Sequence, residues 1–206
     1  NVHMITTAQR DKRLHDIMEK AALVAADGLP LIWRLKRTGF SEAERVTGTD
    51  LTLELCKRAS AEGMPLYFYG GTPETARALR ESMAARFPAL KAAFYESPPL
   101  LPERPAVDKE CEDRINGSGA RIVFVGLGCP KQEFWMAAYR PHLTAVLIGV
   151  GAAFDFISGT VKRAPIWMQR CGLEWLYRLV VDPRKTWKRY VTTNPIFIWL
   201  ALKEYI

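Results

Sequence analysis

The chain has 206 residues, of which 49% are apolar and 25% are charged. This length and composition suit one well-buried core, with or without a small appendage, and exclude a disordered or fibrous chain. The net charge of +7 comes almost wholly from residues 162–206, which hold nine of the 29 Lys and Arg but only three of the 22 Asp and Glu.

The cysteines and the apolar runs indicate in which compartment the protein works and whether it can span a membrane. The four cysteines are far apart and form no C-x-x-C pair, so we expect no disulfide framework or zinc site, and a reducing cytoplasm fits best. The apolar run at residues 196–202 would reach only about 11 Å as a helix, which is too short to span a bilayer. The chain opens on Asn1 rather than Met, and we expect a preceding segment that this sequence lacks.

Short apolar runs alternate with helical patterns along residues 1–161. We predict strands at residues 2–5, 66–69, 121–125 and 145–150, and helices at residues 7–21, 29–35, 49–60, 72–86, 106–116 and 130–138. Strands alternating with helices favour an α/β, Rossmann-like, mostly parallel sheet with flanking helices, whose ligands bind beyond the carboxyl ends of the strands. Four prolines at residues 97–105 predict a stiff surface loop.

Beyond residue 164 only helical patterns remain. Asp182-Pro183 and Asn194-Pro195 each look like a helix cap followed by a first-turn proline, so we predict three short helices. The predicted domains are therefore an α/β catalytic core at residues 1–161 and a basic, aromatic-rich helical arm at residues 162–206.

Two charged residues in the first fifty are candidates for chemistry. Asp27 follows an apolar stretch and precedes Gly28, which suits a general base at the edge of a sheet. Spacing alone favours the alternative, in which Asp27 caps the helix predicted at residues 29–35. Arg45 precedes a helix start and would pair with a diphosphate there, although a surface arginine beside a capped helix fits equally well.

Three glycine-containing segments follow predicted strands. Glycine lets a ligand approach the backbone before a helix N-terminus, and an ordinary turn is the competing interpretation for each segment. The most informative one is Gly126 to Glu133, where backbone N–H groups, the helix dipole and a lysine all favour an anion. The residues singled out are Gly70, Gly71, Gly126, Gly128, Lys131, Gln132, Glu133 and Asp155.

Missing motifs narrow the class of activity. No D-x-D pair offers a clamp for a divalent metal, and no G-x-S-x-G indicates a serine hydrolase. An oxidoreductase would need a dinucleotide fingerprint that is absent. A nucleic-acid-binding module is the other alternative, because the chain is basic, but no recognition motif accompanies the charge.

Taken together, these segments resemble the WecG/TagA/CpsF family of bacterial glycosyltransferases (glycosyltransferase family 26). The matching motifs occur in the family's order over essentially the whole chain, and two of them, Pro-Lys-Gln-Glu and Glu-Trp-Leu-x-Arg-Leu, are specific. The matches are Ala26-Asp27-Gly28, Arg45-Val46-x-Gly48-x-Asp50, Gly70-Gly71, Gly126-x-Gly128-x-Pro130-Lys131-Gln132-Glu133, Gly149-Val150-Gly151-x-x-Phe154-Asp155, Gly159, Arg163-Ala164-Pro165 and Gly172-Leu173-Glu174-Trp175-Leu176-x-Arg178-Leu179.

The resemblance implies an inverting, metal-independent transfer of a sugar of N-acetylmannosamine or glucose type. The donor would be a UDP-sugar and the acceptor an undecaprenyl-diphosphate-linked sugar, in teichoic acid or cell-surface polysaccharide synthesis. Asp27 matches the family's proposed base, and Arg45 and Gln132 match residues near the donor or leaving diphosphate. Of a Thr-x-Asn motif only Asn1 remains. No metal or cofactor is expected, and the other expected substrate-binding residues are Arg163, Arg178 and Arg184.

The arm mixes aromatic residues with cations, a combination that suits the headgroup layer of a membrane. Each cation near an anionic leaflet contributes about 1 kcal/mol. The alternative is that the arm packs on the core or on a partner subunit. We expect a peripheral protein on the inner face of the bacterial plasma membrane, with no nucleic-acid partner and with a homo-oligomer left open. The predicted membrane-contact residues are Lys185, Trp187, Lys188, Arg189 and Trp199.

Overall fold

The computed structural model describes residues 1–90 and 93–203 and contains two compact units. Residues 48–162 form the sheet unit, and residues 1–47 form the helical unit together with the chain from Arg163 onward. The helices are α1 (Val2–Ala8), α2 (Lys12–Glu19), α3 (Leu29–Arg37), α4 (Gly48–Glu62), α5 (Pro73–Arg86), α6 (Lys109–Gly117), α7 (Lys131–Tyr139), α8 (Ala153–Ser158), α9 (Ile166–Arg170), α10 (Glu174–Val181) and α11 (Pro183–Lys203). The strands are β1 (Leu66–Gly70), β2 (Ala93–Glu96), β3 (Ile122–Gly126) and β4 (Val146–Gly149).

The sheet unit is built on a parallel sheet with strand order β2-β1-β3-β4. All five residues of β1 are buried, as is usual for a central strand covered on both faces. Side chains alternate between the faces. Phe68 packs with helices α4, α5 and α8, whereas Tyr67 and Tyr69 pack with α6 and α7. The predicted Rossmann-like α/β fold is therefore confirmed.

The helical unit joins the two ends of the chain. Helix α11 packs against α1 and α10, and α10 packs against α9. The backbone of Gly172, between α9 and α10, lies against Leu29 and Trp33 of α3. The chain divides between the two units after Thr47 and after Lys162, so residues 1–47, which the sequence assigns to the α/β core, belong to the helical unit.

Several elements differ from the sequence prediction. The strand predicted at residues 2–5 is wrong because α1 begins there: the Asn1 side chain accepts a hydrogen bond from Met4 N at 3.0 Å and caps the helix. The break predicted at Asn194-Pro195 is also wrong, since α11 continues through Pro195. Strand β2 and helix α8 have no counterpart in the prediction, because four and six residues are too few to establish a period.

Candidate active site

Asp27 lies beside Arg45 in the helical unit. A backbone hydrogen bond from Val46 N to Ala26 O, 3.0 Å long, brings the two segments together. Arg45 Nη2 then lies 3.3 Å from Asp27 Oδ1. The N-cap of helix α3 is Gly28, and no side chain caps the helix, so the structure removes the capping alternative for Asp27.

The guanidinium of Arg45 lies between two carboxylates. Its Nη2 also donates to Glu174 Oε2 at 2.6 Å, and its Nη1 donates to the Gln169 carbonyl oxygen at 3.5 Å. The Arg45 and Glu174 side chains are only 20% and 18% exposed, whereas that of Asp27 is 41% exposed. We call these three residues (Asp27, Arg45, Glu174) the arginine cluster. In it the arginine is held in place by its partners, while the side chain of the aspartate remains accessible.

The other predicted substrate residues of the helical unit have varied surroundings. The Asn1 side chain caps α1, and Arg163 Nη2 donates to Thr47 Oγ1 at 3.3 Å. Arg178 is half-buried on α10, and Arg184 is exposed in the first turn of α11. Among the described residues, none of these four side chains forms a hydrogen bond or an ion pair with Asp27.

In the sheet unit, β1 and β3 lie side by side and end at Gly70 and Gly126, which are paired in register. Strand β2 lies on one side of β1, while β3 and β4 lie on the other, so the chain reverses direction across the sheet between β1 and β3. Such a switch point at the carboxyl ends of parallel strands is where open α/β sheets bind ligands. The predicted glycines therefore meet at the expected edge.

These glycines allow close packing at that edge. A Cβ on Gly70 would lie 2.6 Å from the Gly126 carbonyl oxygen, and one on Gly126 would lie 2.5 Å from the ring of Phe154. Gly128 serves a turn instead, because its φ of +79° favours glycine while its surroundings are open. Gly71 lies over Thr75, whose hydroxyl donates to Asp155 Oδ1 at 3.4 Å.

The side-chain amide of Gln132, in the first turn of α7, is held from two sides. Its Oε1 accepts a hydrogen bond from Gly151 N at 3.0 Å, and its Nε2 donates to Glu133 Oε1 at 2.8 Å. Gly149 makes room for it, because a Cβ there would lie 2.9 Å from Gln132 Nε2. Helix α7 and the turn after β4 thus hold one amide at the edge of the sheet.

Glu133 is buried although it is a carboxylic acid. Burial raises the pKa of its carboxyl above the usual range, while hydrogen bonds from Gln132 and Cys129 act in the opposite direction. Within the described part of the chain, its Oε2 is a buried atom with no hydrogen-bond partner.

The proline-containing loop at residues 97–105 is tied to the same edge. Ser97 Oγ donates to the Gly71 carbonyl oxygen at 2.8 Å, and the guanidinium of Arg104 lies over the ring of Phe134. Lys131, which the sequence predicts to bind an anion, donates to the Leu101 carbonyl oxygen at 2.6 Å. One of its three ammonium hydrogens therefore anchors the loop.

Glu174 was not predicted as a site residue, and Gly149 was predicted only as part of a glycine segment at the end of a strand. Both occur in motifs that the sequence singles out, but Glu174 is separated from Arg45 by 129 positions, and no local spacing predicts that contact. Gly149 is needed because of the side chain of Gln132, which lies on a different element.

Among the described residues, the site residues above form no set of metal ligands and lie on no membrane-spanning helix. Among the described residues, the group of side chains that could together hold a metal ion is His15, Asp16 and Glu19 on α2, and it includes no predicted site residue. No helix in the described part of the chain has the length and apolar character needed to cross a membrane.

Of the predicted membrane-contact residues, Lys185, Lys188 and Arg189 have side chains outside the described part, whereas Trp187 and Trp199 are 48% and 58% exposed.

A parallel α/β sheet with glycine loops at its switch point is typical of Rossmann-like proteins that bind ligands at this edge. This chain belongs to the glycosyl transferase WecG/TagA/CpsF family, whose model matches residues 1–206. The resemblance predicted from the motifs is thereby confirmed, and the protein is a glycosyltransferase of the hexosyltransferase type.

Two curated relatives are N-acetylglucosaminyldiphosphoundecaprenol N-acetyl-beta-D-mannosaminyltransferases. The one from Bacillus subtilis (strain 168) is 32% identical over 206 residues, which is 99% of this chain and 77% of the relative. The one from Bacillus spizizenii (strain ATCC 23059 / NRRL B-14472 / W23) is 33% identical over 199 residues, which is 96% of this chain and 74% of the relative. By their names, both act on a lipid-linked acceptor.

Proposed function

We propose that this protein transfers N-acetylmannosamine from a UDP-sugar to an N-acetylglucosaminyl-diphosphoundecaprenol acceptor, with inversion and without a metal ion. The relatives' names supply the sugar and the acceptor. The observation that supports the mechanism is the pairing of a half-exposed carboxylate, Asp27, with a largely buried arginine, Arg45, that a second carboxylate holds in place.

Asp27 is the general base of this reaction. It takes the proton from the acceptor hydroxyl as that oxygen forms a bond to the anomeric carbon of the donor sugar. The bond from the anomeric carbon to the diphosphate oxygen breaks at the same time, and UDP leaves with the electron pair. Asp27 ends the step protonated, and attack on the face opposite the leaving group gives inversion.

The donor side uses the switch point of the sheet unit. The glycine-lined edge between β1 and β3 accepts the nucleotide, and the Gln132 amide donates a hydrogen bond to the sugar or its diphosphate. Lys131 of the same unit supplies positive charge as the diphosphate leaves, and the arginines expected from the family resemblance are Arg45, Arg163, Arg178 and Arg184. Such fixed cations make a divalent metal unnecessary for this step.

The protein meets its lipid-linked acceptor as a peripheral protein on the inner face of the plasma membrane. Exposed Trp187 and Trp199, on the basic helix α11, support this part of the proposal. Lys185, Lys188 and Arg189 add charge that attracts anionic lipids.

The direct test incubates the protein with a panel of UDP-sugars and the lipid-diphosphate acceptor, and identifies the product by mass spectrometry. We expect UDP release only with both substrates, and undiminished release in EDTA. Asp27→Asn should lower kcat by at least about a hundredfold, which is the usual contribution of a positioned base. Asp113→Asn is the matched control, because it removes an exposed carboxylate that pairs with Lys109. Full turnover by Asp27→Asn would show that another group is the base.

A further inference from the structure

We propose that Glu133 is a positioning residue that acts through Gln132. In this assignment, which rests on the proposed function, the Glu133 carboxyl fixes the Gln132 amide so that its remaining N–H is presented to the diphosphate of the donor. Glu133 itself touches no substrate.

The hydrogen bonds of Gln132 allow only one orientation of its amide. A glutamine amide has two N–H donors and one carbonyl oxygen acceptor. The oxygen faces the backbone N–H of Gly151 and the nitrogen faces Glu133 Oε1. A half-turn of the amide would set the NH₂ group against the N–H of Gly151 and the oxygen against Glu133. The contact with Gly151 would be repulsive whatever the protonation state of Glu133, and the contact with an ionised Glu133 would be repulsive as well.

One hydrogen of Gln132 is left over. The amide nitrogen carries two hydrogens, and Glu133 Oε1 is the one acceptor that it meets in the described part of the chain. The second hydrogen is therefore available to a ligand oxygen at the carboxyl edge of the sheet, next to the switch point. Its direction is set by the bond that the first hydrogen makes to Glu133.

Stability alone does not explain a carboxyl group at position 133. The side chain is buried, and Oε2 has no partner among the described residues, which is an unfavourable state for a carboxyl oxygen. A leucine of similar size would avoid that cost. The carboxyl provides an acceptor for the Gln132 amide and for Cys129, and leucine provides none.

The expected effect falls on turnover more than on substrate binding. Negative charge grows on the departing diphosphate during bond breaking, so a correctly aimed N–H stabilises the transition state more than the bound donor. Without Glu133 the amide turns freely about its last bond and loses part of that alignment. We therefore expect kcat to fall while KM for the UDP-sugar changes little.

A double-mutant cycle tests this role. Gln132→Ala should lower kcat/KM by about a hundredfold and Glu133→Leu by about tenfold or more. In the Gln132→Ala background, Glu133→Leu should change kcat/KM by less than about twofold, because the amide through which Glu133 acts has already been removed. Glu133→Gln should stay within about threefold of the wild type, since its amide oxygen also accepts from Gln132. Glu110→Leu, in the first turn of α6, is the exposed control.

A second variant keeps the test informative if Glu133→Leu does not fold. Gly149→Ala places a Cβ 2.9 Å from Gln132 Nε2 and should displace the same amide, again with little further loss in the Gln132→Ala background. Losses that multiply in the double variants, or a Glu133→Gln enzyme as impaired as Glu133→Leu, would overturn the positioning role. If the wild type transfers sugar but the losses of kcat/KM multiply in the double variants, the positioning role is refuted and the proposed function is not. A wild type that neither transfers sugar nor binds UDP in calorimetry refutes the proposed function as well.

Discussion

Arg45 illustrates how one side chain joins distant parts of the sequence. It contacts Asp27 from the first segment of the helical unit and Glu174 from the second. Because the guanidinium is largely buried, its position is set by these carboxylates rather than by solvent. The shorter contact is to Glu174, so the residue that holds Arg45 most closely is not the one that we expect to react.

Glu174→Ala should therefore weaken catalysis through Arg45, the residue that Glu174 holds in place. We expect kcat/KM to fall by about tenfold, the effect of losing a hydrogen bond to a charged group, with Glu174→Gln retaining more activity because its amide oxygen still accepts from Arg45. Steady-state kinetics of UDP release measures the change.

Glu54→Ala is the matched control for this prediction. Glu54 also pairs with an arginine, Arg58, but both side chains are largely exposed, and such pairs contribute little. Activity of Glu174→Ala equal to that of Glu54→Ala would mean that Asp27 alone positions Arg45.

The candidate residues themselves were largely predictable from the sequence, whereas their partners were not. Asp27, Arg45 and Gln132 occur in local motifs with recognisable chemistry. Their hydrogen-bond partners Glu174 and Gly151 lie far along the chain, and only folding brings them into contact. Whether Asp27 caps α3 or pairs with an arginine was likewise decided by tertiary contacts.

At the scale of elements, the carboxyl edge of the sheet depends on glycines that have no room for a side chain. Gly126 ends β3 directly beneath the ring of Phe154, a residue of the first turn of α8. The ring also packs edge-on against Phe68 of β1. Strand, glycine and helix therefore form one packed layer under the candidate nucleotide site.

Gly126→Ala should destabilise the protein for steric reasons alone. Its added Cβ would lie 2.5 Å from Phe154, and forcing extra volume into a packed layer costs about 1–3 kcal/mol. The midpoint of urea-induced unfolding should fall accordingly.

Gly117→Ala is the matched control, because nothing lies within 4 Å of a Cβ there. This substitution at the end of α6 should be neutral, or should raise stability by about 0.4–1 kcal/mol through the unfolded chain. Equal stabilities of the two variants would mean that Phe154 moves aside without cost.

Long elements with a strong pattern followed the sequence, while short or context-dependent ones did not. Strands β1 and β3 and helices α4, α5 and α7 appear where their periodicity predicts them. Helix α1 replaces a predicted strand because capping by Asn1 and packing on α11 override β-branched propensity. Pro195 stays inside α11 although its local signal predicts a new helix start.

At the scale of the whole molecule, the arm is both a packing element and a candidate membrane contact. Helix α11 packs against α1, so part of the arm has a structural role. This agrees with the alternative interpretation of the sequence, in which the arm packs on the rest of the protein. Trp187 and Trp199 nevertheless remain about half exposed. Deleting the arm would expose α1 as well, so point substitutions are the cleaner way to separate the two roles.

The double variant Trp187→Gln/Trp199→Gln should bind anionic liposomes at least about tenfold more weakly than the wild type. Each exposed indole contributes on the order of 1 kcal/mol when it enters the headgroup layer, and about 1.4 kcal/mol corresponds to a factor of ten. Liposome sedimentation measures the change, and thermal unfolding checks that the fold is kept.

Val146→Thr is the matched control, because Val146 is an exposed apolar residue of strand β4, outside the arm. Its liposome binding should equal that of the wild type. Unchanged sedimentation of the double tryptophan variant would assign the arm to packing.

The sequence by itself determined the family, the parallel α/β sheet and most of the candidate residues, because apolar periodicity, glycine after a strand and ordered motifs are local properties of the chain. Only the tertiary structure decided that residues 1–47 group with the C-terminal helices, that Glu174 holds Arg45 and that the backbone N–H of Gly151 holds the Gln132 amide. These features depend on contacts between segments far apart in the chain, and their free energy appears only when packing brings the segments together.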